Sequence, residues 1–389
     1  MLSFNNTEIA FADKTNTDLN SSYWLFKIMA NSMVVNIGSV LTNIALKIHL
    51  PIKGIIKATI FKQFCGGETI EECETKINAL GHSKIGTILD YSVEGKKSEK
   101  DFDACVTETI ATIQKSKTNN NIPFCVFKVT GVARFNLLEK VASNHHLTED
   151  EQQEFERIKQ RVNSICKAAN NACTAIFIDA EESWIQNAID DLALEMMALY
   201  NLQKPIVYTT IQMYRKDRLS YLKHSFESAK KENIVVGVKI VRGAYLEKER
   251  ARAKEKGYIS PIQDNKENTD NDYDSALLFC LENIKQIAFC AATHNEKSCI
   301  KLVQMMQEKN IPKDNKHIYF AQLLGMSDHI SYNLAKAGYN VAKYVPYGPV
   351  NEVIPYLIRR AQENTFVKGQ TGRELSLIIK EKERRKFEK

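Results

Sequence analysis

The sequence predicts a (β/α)8 barrel preceded by a helical arm. Three observations carry that expectation. Eight short apolar runs, rich in β-branched residues, recur between residues 85 and 345. Helical patterns separate them, and strict alternation of strand and helix requires parallel strands joined by crossover helices. The runs are apolar almost throughout rather than at every second residue, as strands covered on both faces must be. Eight such units in about 300 residues suit a closed barrel better than an open sheet.

In chain order, residues 1–20 are polar and 21–80 read as helical, broken at Gly66-Gly67, with Glu68, Glu71 and Glu72 placed to open the next helix. The expected division is an arm at 1–80 and a barrel at 81–389. No charged residue occurs from Ile28 to Leu46. Met33, Val34, Ile37, Val40, Leu41, Ile44 and Ile48 recur there at helical spacing, with Asn36, Ser39, Asn43 and Lys47 between them. That pattern predicts a helix packed on protein rather than a membrane span, with contact to lipid as the lesser alternative. The strands are expected at 85–92, 123–130, 174–180, 206–212, 235–242, 287–293, 318–324 and 341–345. Helices are expected at 101–116, 150–169, 182–200, 218–232, 272–283, 296–309 and 330–337. The eighth strand is expected to stop at the turn Pro346-Tyr347-Gly348-Pro349. A helix follows, with Asn351 as its N-cap and Pro355 in or near its first turn.

Composition narrows the function classes. With 389 residues, 44% hydrophobic and 26% charged, the chain has ordinary globular composition and ample length for a large core. A net charge of +6 without a long basic block, and no arginine before Arg134, give no nucleic-acid arm. Nine scattered cysteines, with no C-x-x-C pair, read as a reduced intracellular pattern without zinc. Cys125, Cys173, Cys280 and Cys290 are expected as small core residues. The N-terminus resembles neither a secretory signal nor a transit peptide, so the expected location is cytoplasmic, with contact to the periphery of the inner membrane left open. Neither G-x-G-x-x-G nor G-x-x-x-x-G-K-[ST] occurs, so the usual nucleotide cradles are missing.

Barrel chemistry sits where strands end and βα loops begin. Those ends carry Asp90, Lys128, Asp179, Gln212, Lys239, Arg242-Gly243, Thr293-His294, Gln322 and Tyr344. A polar ring on so many strands is hard to explain as packing. Lys128 and Asp179, on neighbouring strands, can pair. Beyond the eighth strand, Tyr356, Arg359, Arg360 and Glu363 fall three and four residues apart along one helix. Two adjacent guanidiniums repel unless anions answer them. Glu363 can answer one; a small carboxylate ligand can answer the other, in the two-bond fork that arginine makes.

Several stretches together resemble the proline dehydrogenase family: Leu89-Asp90-Tyr91-Ser92-Val93-Glu94, Phe177-Ile178-Asp179-Ala180-Glu181, Val238-Lys239-Ile240-Val241-Arg242-Gly243-Ala244-Tyr245, Ala292-Thr293-His294-Asn295, and the helix from Tyr356 through Arg359-Arg360 to Asn364. They occur in the family's order, over roughly residues 50–370. The turn at Tyr344-Val345-Pro346-Tyr347-Gly348-Pro349 departs in detail from a Pro-Val-Gly turn found in other members. The resemblance implies a barrel flavoenzyme that oxidises L-proline to Δ1-pyrroline-5-carboxylate, with hydride passing from proline C5 to N5 of non-covalent FAD and electrons going on to a membrane quinone. No aldehyde dehydrogenase module is expected. By the same resemblance Arg359 and Arg360 grip the proline carboxylate, Lys128 and Tyr356 line the substrate site, and Tyr344 covers it. Asp179 orients its neighbours, Arg242 lies near the reactive edge of the flavin, and Gln212 bonds its ring. Ala180, Tyr245, Leu246, Glu247, Thr293 and His294 contact FAD mainly through position, and Glu363 steadies the arginine pair. Lys128, Asp179 and water are all candidates to take the amine proton. The competing readings are a flavin barrel acting on hydroxyproline or a related cyclic amine, a barrel of the methylenetetrahydrofolate reductase type, and a non-catalytic barrel that binds an amino acid.

Overall fold

Eight parallel strands close into a barrel in the order of the sequence. They are β1 (Ile85–Tyr91), β2 (Phe124–Lys128), β3 (Ala175–Asp179), β4 (Val207–Gln212), β5 (Val236–Val241), β6 (Ile287–Ala292), β7 (Ile318–Leu323) and β8 (Val341–Tyr347). A computed structural model describes residues 2–48, 51–93, 98–366 and 370–387; the side chains of residues 32, 40, 43–47, 363–366, 370 and 371 lie outside that description. The side chains of Val40, Asn43, Ile44, Lys47, Glu363 and Asn364 therefore lie outside the description, as does Glu94 entirely. The strands are apolar because they are buried: every residue of β4 and of β8 is shielded from solvent.

The helices before β1 are α1 (Thr7–Ala10), α2 (Asn16–Met29), α3 (Ser32–Lys47), α4 (Lys53–Ile56), α5 (Lys62–Phe64) and α6 (Glu74–His82), with a π-helical turn at Lys57–Phe61. Those that follow are α7 (Glu99–Lys117), α8 (Phe135–Ala142), α9 (Glu149–Ala172), α10 (Ser183–Tyr200), α11 (Arg218–Lys231), α12 (Leu246–Lys256), α13 (Lys266–Glu282), α14 (Glu296–Glu308), α15 (Asp328–Lys336), α16 (Val350–Phe366) and α17 (Gln370–Phe387). Reciprocal capping boxes start α2 (Thr15 with Asp18), α7 (Ser98 with Asp101) and α9 (Thr148 with Glu151). The chain packs as two units, one made of Met1–Glu94 with Gln322–Lys389 and the other of Gly95–Ala321.

Several expectations are corrected within the first of these units. The strand β8 does not stop before the turn but runs through Pro346 to Tyr347, in register with Asp90 and Tyr91 of β1. The Pro346 carbonyl accepts a hydrogen bond from the Gly66 N–H (2.9 Å). Glu68, Glu71 and Glu72 precede α6 rather than open it. Glu68 is used elsewhere: its carboxylate meets Lys57 (2.6 Å) and Lys53 (3.0 Å) and accepts the Val350 N–H (3.2 Å). The Lys57 hydrogen bond above all holds its carboxyl down to about 2. Glu68 therefore serves the start of α16. Asn351, already inside that helix, is not its cap, and Pro355 lies in the helix interior. Because Asn351 is exposed, water can serve the carbonyl that Pro355 cannot bond.

The apolar stripe of α3 faces outward. Met33, Val34, Ile37 and Leu41 are exposed, whereas Val35 is buried with Met29, Phe61, Tyr356, Leu357 and Ala361. The helix is amphipathic as expected, but its broad apolar side is the free one. Gln322 also differs: it accepts the Ser331 hydroxyl (2.8 Å) and so faces α15. On the same side of the sheet, Lys343 is fully buried, 2.7 Å from Asp328 and 2.8 Å from the Met326 carbonyl oxygen. Burial raises the Asp328 carboxyl, but Lys343 and Lys14 outweigh it and hold it well below the usual range. In the second unit, Cys125, Cys280 and Cys290 are buried as expected. Cys173 is exposed, in the left-handed residue that ends α9 (φ 55°). No cysteine among the described residues forms a disulfide, and no cluster there suits a metal.

Candidate active site

Within the unit Gly95–Ala321, the C-terminal strand ends carry one connected polar cluster. Asp179 closes β3 and is ion-paired with Lys239 of β5, whose side chain is 5% exposed. The Lys239 ammonium also stands 5.2 Å over the Phe177 ring. Layers inside a barrel are built from alternate strands, which is why β3 meets β5 here. Lys128 is the register neighbour of Asp179 on β2. Its charge also reaches Glu181, a buried carboxylate that accepts hydrogen bonds from the Thr130 N–H (3.0 Å) and hydroxyl (2.5 Å).

Burial pushes the Glu181 carboxyl up to about 7, against the pull of Lys128. The folded state therefore holds this proton more tightly than the unfolded chain, whose ordinary value is 4.5. The resulting stabilisation is complete below 4.5 and is lost as pH rises through about 7. Glu181→Gln should remove that loss, so the variant gains stability relative to the parent between pH 5 and pH 8. Urea denaturation at the two pH values checks it.

Gln212 ties three strand ends together. Its Nε2 donates to the Glu181 carbonyl (2.7 Å), and its Oε1 accepts the Ala244 N–H (3.2 Å). Ala180 lies half-buried beside them. Arg242, just past β5, is held from three sides: Nε donates to Asp270 (2.6 Å), one terminal nitrogen to the Thr293 hydroxyl (2.7 Å) and the other to the Ser298 hydroxyl (3.0 Å). Its guanidinium stacks 4.3 Å from the centroid of Tyr273. Asp270 is raised by burial but lowered further by its hydrogen bonds from Lys266 and Arg242, so it stays an anion. These contacts use three of five N–H groups and fix the plane of the fork. Gly243 follows with φ +139°, where a Cβ would sit 2.4 Å from the Tyr214 ring, so glycine is required. Tyr245 precedes α12, with Leu246 and Glu247 exposed in its first turn. His294 is half-buried, next to Asn295, which caps α14 through the Lys297 and Ser298 N–H groups.

In the other unit, Tyr344 is 7% exposed on β8, and its carbonyl accepts the Leu324 N–H (2.8 Å). On α16, Tyr356 and Arg360 are buried and Arg359 is half-buried. The Arg360 guanidinium lies 5.3 Å from the Tyr356 centroid. Tyr356, Leu357 and Ala361 seat this helix in the apolar cluster that includes Val35 and Met29. One buried and one half-buried guanidinium in succession make this part of α16 strongly cationic.

Sequence reading missed Asp270, Ser298 and Tyr273, which hold Arg242, and it quoted Glu181 without giving it a role. Asp270 and Tyr273 lie on α13, whose start at Lys266 was placed six residues late. The donor set at the strand ends — Lys128, Gln212, Arg242 and His294 — suits a planar, acceptor-rich group such as the isoalloxazine of FAD.

A closed parallel barrel carrying such a cluster at its strand ends has the architecture of a barrel enzyme. Residues 73–373 match the family model for proline dehydrogenase. Proline dehydrogenase 1, mitochondrial, from Dictyostelium discoideum is 33% identical over 98% of this chain and 75% of its own length. The hydroxyproline dehydrogenase of Xenopus laevis is 31% identical over 85% of this chain and 79% of its own length. Among solved structures, proline utilization A from Bdellovibrio bacteriovorus superposes with a TM-score of 0.73 at 20% identity, over 92% of this chain and 38% of that longer one. That likeness bears on the fold, and the chain spans well under half of the longer protein. The chain belongs to the proline dehydrogenase family, and proline oxidation is the activity that membership supports.

Proposed function

We propose that this protein oxidises L-proline to Δ1-pyrroline-5-carboxylate with FAD as its cofactor and a membrane quinone as electron acceptor. The observation that carries the reading is the extent of the family match: residues 73–373 take in every strand-end residue described above together with Arg359 and Arg360. FAD, when bound, supplies the acceptor for the hydride.

The chain's own residues do the rest. Arg359 and Arg360 bind the carboxylate of the zwitterionic substrate and so fix its orientation, which is catalysis by positioning. Tyr344 and Tyr356 supply bulk that excludes water. Asp179, fixed by Lys239, orients the groups around it. Lys128 and Asp179 are the side-chain candidates to take the proton that the amine must lose. Arg242, Gln212, Ala180, Tyr245, Leu246, Glu247, Thr293 and His294 hold the cofactor, and Glu363 steadies the arginines. Arg242→Met should weaken FAD retention roughly 10- to 100-fold, the worth of one charge-assisted hydrogen bond. Equilibrium dialysis of the reconstituted protein reads that loss directly.

The Xenopus relative gives the second reading its basis, since it is named for hydroxyproline. Tyr344 supports proline here: a buried phenol leaves little room for a 4-hydroxyl on the ring. Steady-state reduction of an artificial dye by L-proline and by trans-4-hydroxy-L-proline compares the two. Proline should be preferred, and Tyr344→Ser should narrow the preference. A parent enzyme that prefers hydroxyproline overturns the choice.

A further inference from the structure

One fully buried carboxylate has no part in the chemistry above. Glu249 lies on α12, where eight of eleven residues are charged. The helix buries only Glu249 and Ala253, so apolar area does little to hold it in place. Glu249 itself is 0% exposed. A carboxylate taken that far from water is costly unless hydrogen bonds answer it.

Those bonds come from α10. The Ser183 N–H donates to Glu249 Oε1 and the Ser183 hydroxyl to Oε2, both at 2.6 Å. A helix begins with N–H groups that lack partners, and the side chain at the N-cap commonly supplies one. Glu182, the N-cap of α10, makes no such bond. Glu249 takes over that role from 66 residues further along the chain, and its charge suits the positive end of the helix. Lys248 is ion-paired with Glu182 and Arg252 with Glu139, and the Arg252 guanidinium lies 4.3 Å from the centroid of the Trp184 ring. Lys248 and Arg252 are 59% and 28% exposed, so their pairs add less than the buried contact does.

The contact joins two loops at the strand ends. Ser183 follows the β3–α10 loop, which holds Ala180 and Glu181, and Glu249 follows the β5–α12 loop, which holds Arg242, Gly243 and Tyr245. Strand β4 lies between them. Gln212, at the end of β4, already bridges the same two loops through the Glu181 carbonyl and the Ala244 N–H. Glu249 supplies a second fastening, on the helices that leave those loops. Gln186 of α10 carries it back to the loop: its Oε1 accepts the Glu181 N–H (2.8 Å), and its Nε2 donates to Asp190 (2.8 Å), which is paired with Arg218. Held by Gln212 alone, the loops can pivot about one side chain; held at both places, they cannot.

We propose that Glu249 is a positioning residue for the cofactor: by fastening α12 to the start of α10 it keeps the two loops at the separation that FAD binding needs. It acts through Ser183 rather than on the cofactor itself. The inference rests on the reading above that Ala180, Arg242, Tyr245, Leu246 and Glu247 hold FAD.

The test is equilibrium dialysis of the full-length, FAD-loaded protein, combined with amide hydrogen exchange at saturating FAD, for the parent, Glu249→Ala, Glu249→Gln and Ser183→Ala. Glu249→Ala should weaken FAD binding roughly 10- to 100-fold. Exchange should quicken in α12 and in the first turn of α10, while strands β2 to β6 stay as protected as in the parent. Glu249→Gln keeps an acceptor for one of the two donors and should recover part of the affinity. Ser183→Ala keeps the N–H and should lose less than Glu249→Ala, and in the Glu249→Ala background it should add nothing further. The proposal is overturned if Glu249→Ala binds FAD as tightly as the parent, whether or not α12 loosens. It is also overturned if the strands lose protection in step with α12, since the residue then serves the stability of the whole unit. A parent that takes up no FAD defeats the cofactor reading and this inference with it, whereas a parent and a Glu249→Ala variant that bind FAD equally defeat this inference alone.

Discussion

Arg359→Ala or Arg360→Ala is expected to raise KM for L-proline about 30- to 1000-fold. On the proposed assignment, each substitution removes a charge-assisted pair with the substrate carboxylate, worth about 2–4 kcal/mol. The loss should fall mainly on KM, because a proposed grip on the carboxylate would act in the ground state as well as in the transition state. Arg359→Lys or Arg360→Lys keeps the charge but not the two-bond fork, so it should recover only part of the loss. A cyclic carboxylate without the amine should bind the parent and lose affinity in the same variants. Steady-state kinetics with that inhibitor separates a lost grip from a distorted α16, since distortion would also lower kcat and the melting temperature. An unchanged KM in both alanine variants contradicts the assignment.

Asp179→Ala carries the second large effect. It leaves the Lys239 ammonium, 5% exposed, without the carboxylate that now compensates it. Breaking one partner of such a pair costs about 3–5 kcal/mol of stability, because the remaining charge is still buried. Chemical denaturation of the FAD-free protein reads that cost directly. Changing both partners at once, Asp179→Leu with Lys239→Met, removes the stranded charge and should recover most of the stability. Activity should not return in the double variant if Asp179 orients groups at the site. A double variant restored in both respects would make the pair a packing device only.

How much of this was legible in the chain depends on what each element packs against. The eight strands were readable to within two residues because burial on both faces leaves a nearly unbroken apolar signature. The helices α8 and α12 were not foreseen. The sequence of α12 runs Leu-Glu-Lys-Glu-Arg-Ala-Arg-Ala-Lys-Glu-Lys and buries only Glu249 and Ala253, so it offers no apolar stripe to read. The continuation of β8 through Pro346 was hidden for a local reason: proline reads as a stop, yet its carbonyl can still accept from Gly66. The start of α16 is set by Glu68, 282 residues away in sequence, and no local rule selects that over Asn351.

The same distinction holds at the site. Polar residues at the strand ends were legible because barrel geometry says where to look, although one of them, Gln322, faces α15 instead. The partners that fix them were harder. Lys239 reaches Asp179 across an intervening strand, which spacing along the chain does not reveal. Asp270, Tyr273 and Ser298 sit on helices and converge on Arg242 only after folding. The outward turn of the α3 stripe was misjudged because periodicity reports that a face is apolar and not what covers it.

One measurement bears on the central claim more directly than any other: anaerobic addition of L-proline to the FAD-reconstituted protein while the visible flavin absorbance is followed. Bleaching of the yellow band by proline, slowed at low proline in the Arg359→Ala and Arg360→Ala variants, is the predicted result. A protein that takes up no FAD, or a bound flavin whose spectrum proline leaves unchanged, would contradict the account.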